Sequence, residues 1–284
     1  MFKLICKNLI YNIINEIQCI KKFKIFKNKK ILITGHNGFK GSWLSIWLSL
    51  LGAKVVGISL PEKSLDNHFN LVKNKLKIKS FYCDIRNKKK IENIILKEKP
   101  DFAFHLAAQS LVYKSILNPR FNWETNVVGL LNVLEALNKL KKKCTGIIIT
   151  SDKCYKNLEQ KKGYRETDIL GGVDPYSASK ASAEILFHSY FKTFIENKNN
   201  KLRLCTARAG NVIGGGDWSK NRLVPDCMKM WLKHKIPEIR NPNSTRPWQH
   251  VLEALSGYLD LSLKLSGDKS INGHSFNFSS DKIK

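Results

Sequence analysis

Apolar positions along the chain predict a repeating order of strand and helix. Residues 30–34 (KILIT) form a short apolar run, and a helical apolar segment, 42–48 (SWLSIWL), follows closely and stops near Gly52. Further strands are expected at 54–60, at a run ending in Tyr82-Cys83-Asp84-Ile85, and at 102–108, 144–150 and 203–209. Helices are expected over 122–140 and 176–195. Run 144–150 (CTGIIIT) is almost entirely apolar or β-branched, as suits a strand covered on both faces. This cadence means an α/β fold: a Rossmann-like, doubly wound parallel sheet with helices on both sides. Beyond residue 211 the chain turns to Gly-, Asn-, Asp- and Arg-rich loops, with helices near 222–235 and 248–266, which predicts a smaller lobe at the carboxyl edge of the sheet. At the other end, Ile5, Leu9, Ile13 and Ile17 fall at steps of four with polar residues opposite, an amphipathic helix too polar to span a bilayer. No secretory cleavage site follows it and no transmembrane segment is expected.

The pattern also locates candidate chemistry. Between the first strand and its helix lies Gly35-His36-Asn37-Gly38-Phe39-Lys40-Gly41, a Gly-x-x-Gly-x-x-Gly turn. Glycine there permits a positive φ and a close approach of backbone to a diphosphate, and the helix start offers unpaired N–H groups. Asp84 and Ile85 are candidates for an adenine edge, and Leu106, Ala107 and Ala108 line the cofactor path with small residues. The second strand ends Gly57-Ile58-Ser59-Leu60-Pro61 without the acidic residue that binds ribose hydroxyls; Glu62 comes late and Lys63 follows, so NAD and NADP both remain open on chemistry alone. The fifth strand runs into Ser151-Asp152-Lys153, and Tyr176 and Lys180 stand four apart on one helix face. That pair lets an ammonium lower a phenol's pKa and lets the phenolate take a proton from a substrate hydroxyl, with Ser151 bonded to the same hydroxyl. Lys153 can act as a base only if burial or a neighbouring cation depresses its pKa.

Composition changes this picture little. The formal charge is +26, but only eight of the 49 basic residues are Arg, and the lysines are spread over nearly every segment. That is a solvated bias rather than an Arg-bearing phosphate footprint, so no specific nucleic-acid partner is expected. Seven scattered Cys without a CxxC pair suit a reducing, cytoplasmic location and exclude a disulfide framework or a zinc site; no metal is expected. The rare Arg residues concentrate in the candidate segments, at Arg86, Arg165, Arg208, Arg222, Arg240 and Arg246.

From about residue 26 onward the chain resembles the extended short-chain dehydrogenase/reductase (NAD-dependent epimerase/dehydratase) family, and within it the CDP-glucose 4,6-dehydratase branch. The resemblance rests on Thr34 through Leu44, His105 through Gln109, Thr150 through Tyr155, Gly163 through Glu166 and Gly171 through Ser177. It continues through Arg208-Ala209-Gly210-Asn211-Val212-Ile213-Gly214-Gly215-Gly216-Asp217-Trp218, Arg222 through Asp226 and Thr245 through Val251. It implies a division into an amino-terminal extension (1–25), an NAD-binding domain (26–210) and a partial sugar-nucleotide lobe (211–284). It also implies a tightly held NAD, CDP-glucose as substrate and a homo-oligomer. In the implied cycle Tyr176, Ser151 and Lys180 serve oxidation at C4, Lys153 removes the C5 proton and Asp152 protonates the departing 6-hydroxyl. Gln109, Asn211, Arg222 and Arg246 would bind the sugar nucleotide. Sibling dehydratases carry Glu where this chain has Lys153. Family members usually run well past Phe276-Asn277-Phe278, which sets a nucleotide-binding remnant, or a sibling dehydratase or epimerase, as the alternatives.

Overall fold

The computed structural model describes residues 21–62, 67–160, 162–196, 201–239 and 241–279. The helix expected over residues 1–20 lies outside the described residues, as do Lys63 and Arg240. Seven strands form one sheet in the order β3-β2-β1-β4-β5-β6-β9. They are β1 (Lys30–Thr34), β2 (Lys54–Ser59), β3 (Lys79–Tyr82), β4 (Phe102–His105), β5 (Cys144–Ile149), β6 (Leu202–Ala209) and β9 (Ser275–Phe278). Every pairing is parallel. The order reverses between β1 and β4, the place where open α/β sheets receive ligands.

Both faces are covered, as the apolar runs of β1 and β5 require. On one face lie α1 (Phe39–Leu50) and α6 (Val251–Gly267), with Phe23, Phe26, Trp47 and Tyr258 in the core. On the other lie α2 (Lys88–Glu98), α3 and α4 (Pro175–Phe194). α3 is a continuous helix in three parts: Pro119–Trp123, a π turn at Glu124–Val128, and Gly129–Asn138. The π turn is absent from the regular 122–140 helix expected from periodicity. It sets Asn126 inward, where its side chain accepts from Gln109 N (2.8 Å) and donates to Gln109 O (3.1 Å) in the loop after β4.

The chain beyond residue 211 divides between two places. Strands β7 (Val212–Ile213) and β8 (Gln249–His250) make a small separate sheet, and α5 (Leu223–Trp231) falls between them in the chain. α6 and β9, by contrast, return to the large sheet, and β9 pairs with β6 over Thr206↔Ser275 to Ala209↔Phe278. The 210/211 boundary therefore separates elements that share one core.

Candidate active site

The glycine turn is dictated by steric limits. Gly35 takes φ 75°, and a Cβ on it would lie 2.8 Å from Ala107 N; one on Gly41 would lie 2.0 Å from Gly35 O. Gly38 is the N-cap of α1, exposed, without a side-chain cap and without an acidic residue in the following turn. Free N–H groups at a helix start, with nothing built over them, fit a dinucleotide diphosphate. Phe39 packs outward from the turn towards Gly214, Leu106 packs on the apolar core of that face, and Ala107 and Ala108 remain half-exposed beside the turn.

Glu62, just after β2, is tied to the glycine turn. Asn37 Nδ2 donates to Leu60 O (2.7 Å) and to Glu62 Oε1 (3.0 Å), and the Tyr82 hydroxyl donates to Glu62 Oε2 (3.3 Å). Burial pushes this carboxyl upward, but the Asn37 hydrogen bond and its companions hold it below the usual range. The Asn37 side chain thus holds the carboxylate beside the turn although it follows the strand end. Asp84 is engaged by Arg86, whose Nη2 lies 2.7 Å from Oδ2, and Arg86 also bonds Glu124 (2.9 Å). Ile85 is buried against Gly129.

β5 delivers Ser151 to the centre of the carboxyl edge. Its hydroxyl donates to Asp152 Oδ1 (3.0 Å) and accepts from Lys153 N (3.3 Å), capping the short 3-10 turn Asp152–Cys154. α4 begins at Pro175, with Asp174 capping Ser177 N at 3.0 Å, and so carries Tyr176 and Lys180 to the same place. The Ser151 hydroxyl lies near enough to the Tyr176 phenol to favour its ionised form. Burial pushes that phenol up to about 12, against the pull of Ser151 and Arg222. Lys180 is not among the groups that shift this phenol, and burial prevails. Lys180 is itself pushed down to about 8 by burial, with Glu184 and Cys154 favouring its charge.

Beneath Lys180 lies a polar cluster that sequence reading missed. Glu184, fully buried, accepts from Thr150, Thr206 (2.9 Å), Arg208 Nη2 (2.7 Å) and Ser275 (3.0 Å). Arg208 also bonds the Tyr155 hydroxyl at 2.8 Å, so this Arg braces the sheet edge. The side chains that meet at Glu184 come from the end of β5, from β6 and from β9, distant in sequence, which is why no local motif announced the cluster.

The structure brings Arg222 to the centre and ties it to Asp217 (2.8 Å) and Ser110 (3.3 Å). The Gly214–Gly216 loop before it docks on α1, where Trp43 Nε1 donates to Gly215 O at 2.8 Å. Asn211 is half-buried, its carbonyl taken by Gln249 N (3.1 Å). Arg246 is exposed and donates to Thr245 O at 2.6 Å, apart from the other cations. Gln109 is buried, and its amide is committed within the protein: Nε2 to Leu111 O (2.9 Å) and Asn122 (3.2 Å), Oε1 to Leu111 N (2.8 Å). It braces the loop after β4 and offers no free amide to a ligand.

The model of the GDP-mannose 4,6 dehydratase family matches residues 32–273. The chain belongs to that family. Among curated relatives of the family, CDP-glucose 4,6-dehydratase of Salmonella typhimurium is 42% identical over 256 residues, covering 89% of this chain and 71% of the relative. The dTDP-D-glucose 4,6-dehydratase of Dictyostelium discoideum is 31% identical and covers 81% of this chain, which spans only 54% of that protein. Solved structures agree on the fold. An epimerase from Methanothermobacter thermautotrophicus superposes with a TM-score of 0.80 at 23% identity, covering 93% of this chain and 75% of that one. The dTDP-glucose 4,6-dehydratase of Bacillus anthracis, solved with NAD, gives 0.73 at 24%, covering 90% and 77%.

Proposed function

We propose that this member of the GDP-mannose 4,6-dehydratase family converts CDP-glucose to CDP-4-dehydro-6-deoxyglucose and water. The observation that carries the reading is the meeting of Ser151, Asp152 and Lys153 at the end of β5 with Tyr176 and Lys180 at the start of α4. Nucleotide choice rests on the 42% likeness to the Salmonella enzyme against 31% for the dTDP-glucose relative.

The glycine turn would hold the diphosphate of NAD, and Glu62 the adenosine ribose hydroxyls, where its charge opposes a 2′-phosphate. Bound NAD supplies the hydride acceptor for C4 and the donor for C6. Tyr176, beside Ser151, would take the O4 proton as C4 is oxidised once the charges of Lys180 and of a bound oxidised nicotinamide favour its phenolate, and Lys180 would orient the ribose. The new ketone acidifies C5, Lys153 removes that proton, and Asp152 protonates the departing 6-hydroxyl. Ser151 holds Asp152 and the Lys153 backbone in one turn, which fixes the order of the two groups. Arg222 and Asn211 would meet the sugar nucleotide, with Arg246 reaching it from the surface.

The five described cysteines are free thiols, and no helix of the described residues is long and apolar enough to cross a membrane; a cytoplasmic location fits both. Ile116, Leu117, Trp123, Val128 and Ile185 are exposed on helices that pack on one another, and suit a homo-oligomer contact.

The deciding test is product mass across CDP-glucose, dTDP-glucose, UDP-glucose and GDP-mannose. Loss of one water from CDP-glucose alone is expected. Preference for another nucleotide moves the assignment to a sibling dehydratase, and inversion at C4 without loss of mass moves it to an epimerase. In single turnover, Tyr176→Phe should give no transient NADH absorbance, with a loss of roughly 100- to 10,000-fold. Lys153→Met should keep the transient and stop the elimination.

A further inference from the structure

One cation of the centre has no part in the roles above. Lys40 is the second residue of α1, directly after the glycine turn, and its ammonium points inward. Nζ donates to the Tyr258 hydroxyl at 3.3 Å and lies 5.8 Å from that ring's centroid. Tyr258 is fully buried on α6 and locked edge-on against Phe278. The ammonium therefore has a fixed seat. The charges that bear on it come from the far end of the site: Arg222 before α5, Lys180 on α4 and Asp152 after β5, while Asp152 and Tyr176 bear on Tyr258.

Lys40 thus starts beside the turn that fits a diphosphate and lies within electrostatic reach of Lys180, Arg222 and Asp152 at the other end of the site. A dinucleotide that spans the two ends would come within reach of the same charge. An oxidised nicotinamide ring carries a positive charge and a reduced one carries none. A fixed cation in a site from which water is largely removed therefore opposes the oxidised form.

We propose that Lys40, seated on Tyr258, is a redox-setting residue that favours the reduced over the oxidised form of the bound nicotinamide dinucleotide. This rests on the dehydratase reading and deepens it. Hydride leaves C4 for the ring, the O4 proton goes to Tyr176, and the cation lowers the cost of that first oxidation. Burial, with Arg222 and Lys180, pushes the Lys40 ammonium down to about 8, so its charge is present at pH 7 and is lost above pH 8.

The test is binding, not turnover. The full-length protein is titrated separately with NAD and NADH by calorimetry, and the ratio of the two dissociation constants is compared among variants. Lys40→Met should shift the ratio towards NAD by about tenfold at pH 7, the size expected of one charge acting over roughly 10 Å through protein. Lys40→Arg should keep the ratio, and Tyr258→Phe, which unseats the ammonium, should shift it two- to threefold, roughly half that effect in free energy. In the unaltered protein the preference for NADH should fall between pH 7 and 9.5. The fall should be smaller in Lys40→Met, where Lys180 remains the titrating cation. Should Lys40→Met not fold, the pH series and Tyr258→Phe still decide. Both nucleotides binding with an unchanged ratio overturns this inference alone. Failure of either nucleotide to bind the unaltered protein overturns the dehydratase reading and this inference together.

Discussion

The glycine turn and the loop from Asn211 to Arg222, which docks on the helix that the turn opens, are held in different ways. The turn is fixed by exclusion: a Cβ at Gly35 or Gly41 would collide with backbone. The loop is fixed by attraction, through Trp43 Nε1 to Gly215 O and Arg222 to Asp217 and Ser110. Steric exclusion tolerates no partial solution, whereas single hydrogen bonds are each worth about 1 kcal/mol. The cofactor side should thus be rigid and the substrate side adjustable.

The sharpest way to break this contrast is Gly41→Ala. Its Cβ would sit 2.0 Å from Gly35 O, so the turn must open; nucleotide affinity should drop at least about 100-fold, with up to about 3 kcal/mol of stability lost. A thermal melt with and without NAD reads both, and a normal NAD-induced shift would show that the turn is not sterically fixed.

Acid should separate the two sides next. His36 and His68 are held neutral down to about 4 and His105 to about 3 by burial, and all three lie around the glycine turn. Their folded pKa values lie below the unfolded 6.5, so the unfolded state binds more protons between these limits and stability falls as pH drops from 6.5 towards 4. Each group contributes about 1.4 kcal/mol per pH unit inside that window. Glu184 works lower: Arg208 and the surrounding hydroxyls hold its carboxyl below its usual range against burial, so its contribution persists until the pH falls through the carboxylate region. NAD binding should vanish at a higher pH than helical circular dichroism. Coincident loss would mean that both sides unfold as one unit.

Trp43→Phe removes one hydrogen bond to the loop and keeps an apolar ring on α1. We expect about a fivefold higher KM for the sugar nucleotide, equivalent to about 1 kcal/mol, with NAD affinity unchanged. At the bottom of the scale stands Gly163→Ala: nothing lies within 4 Å of its would-be Cβ and its φ is not positive, so activity and melting should match the parent.

The same contrast explains what the sequence revealed. The glycine turn, the apolar β5 and the Asp174-Pro175 start of α4 are local, and each was legible in a few consecutive residues. Glu62, Lys40 and Tyr258 were not, because their placement depends on partners 25 to 218 positions away. The π turn of α3 was hidden for the same reason: Asn126 reads as an ordinary helical residue until Gln109 is found beside it. Gln109 was assigned to substrate by resemblance alone, and its bonds to Leu111 and Asn122 are not announced by any motif.

The parallel seating of β9 beside β6 also bears on how the protein is made. β9 is synthesised after every other described element, yet Ser275 completes the shell of Glu184 and Phe278 closes over Tyr258. Until that strand arrives, a buried carboxylate beneath the catalytic helix lacks one of its donors, and one sheet edge stands open to pairing with another chain. The floor beneath α4 is thus laid last, and the exposed β6 edge is closed only when β9 pairs with it.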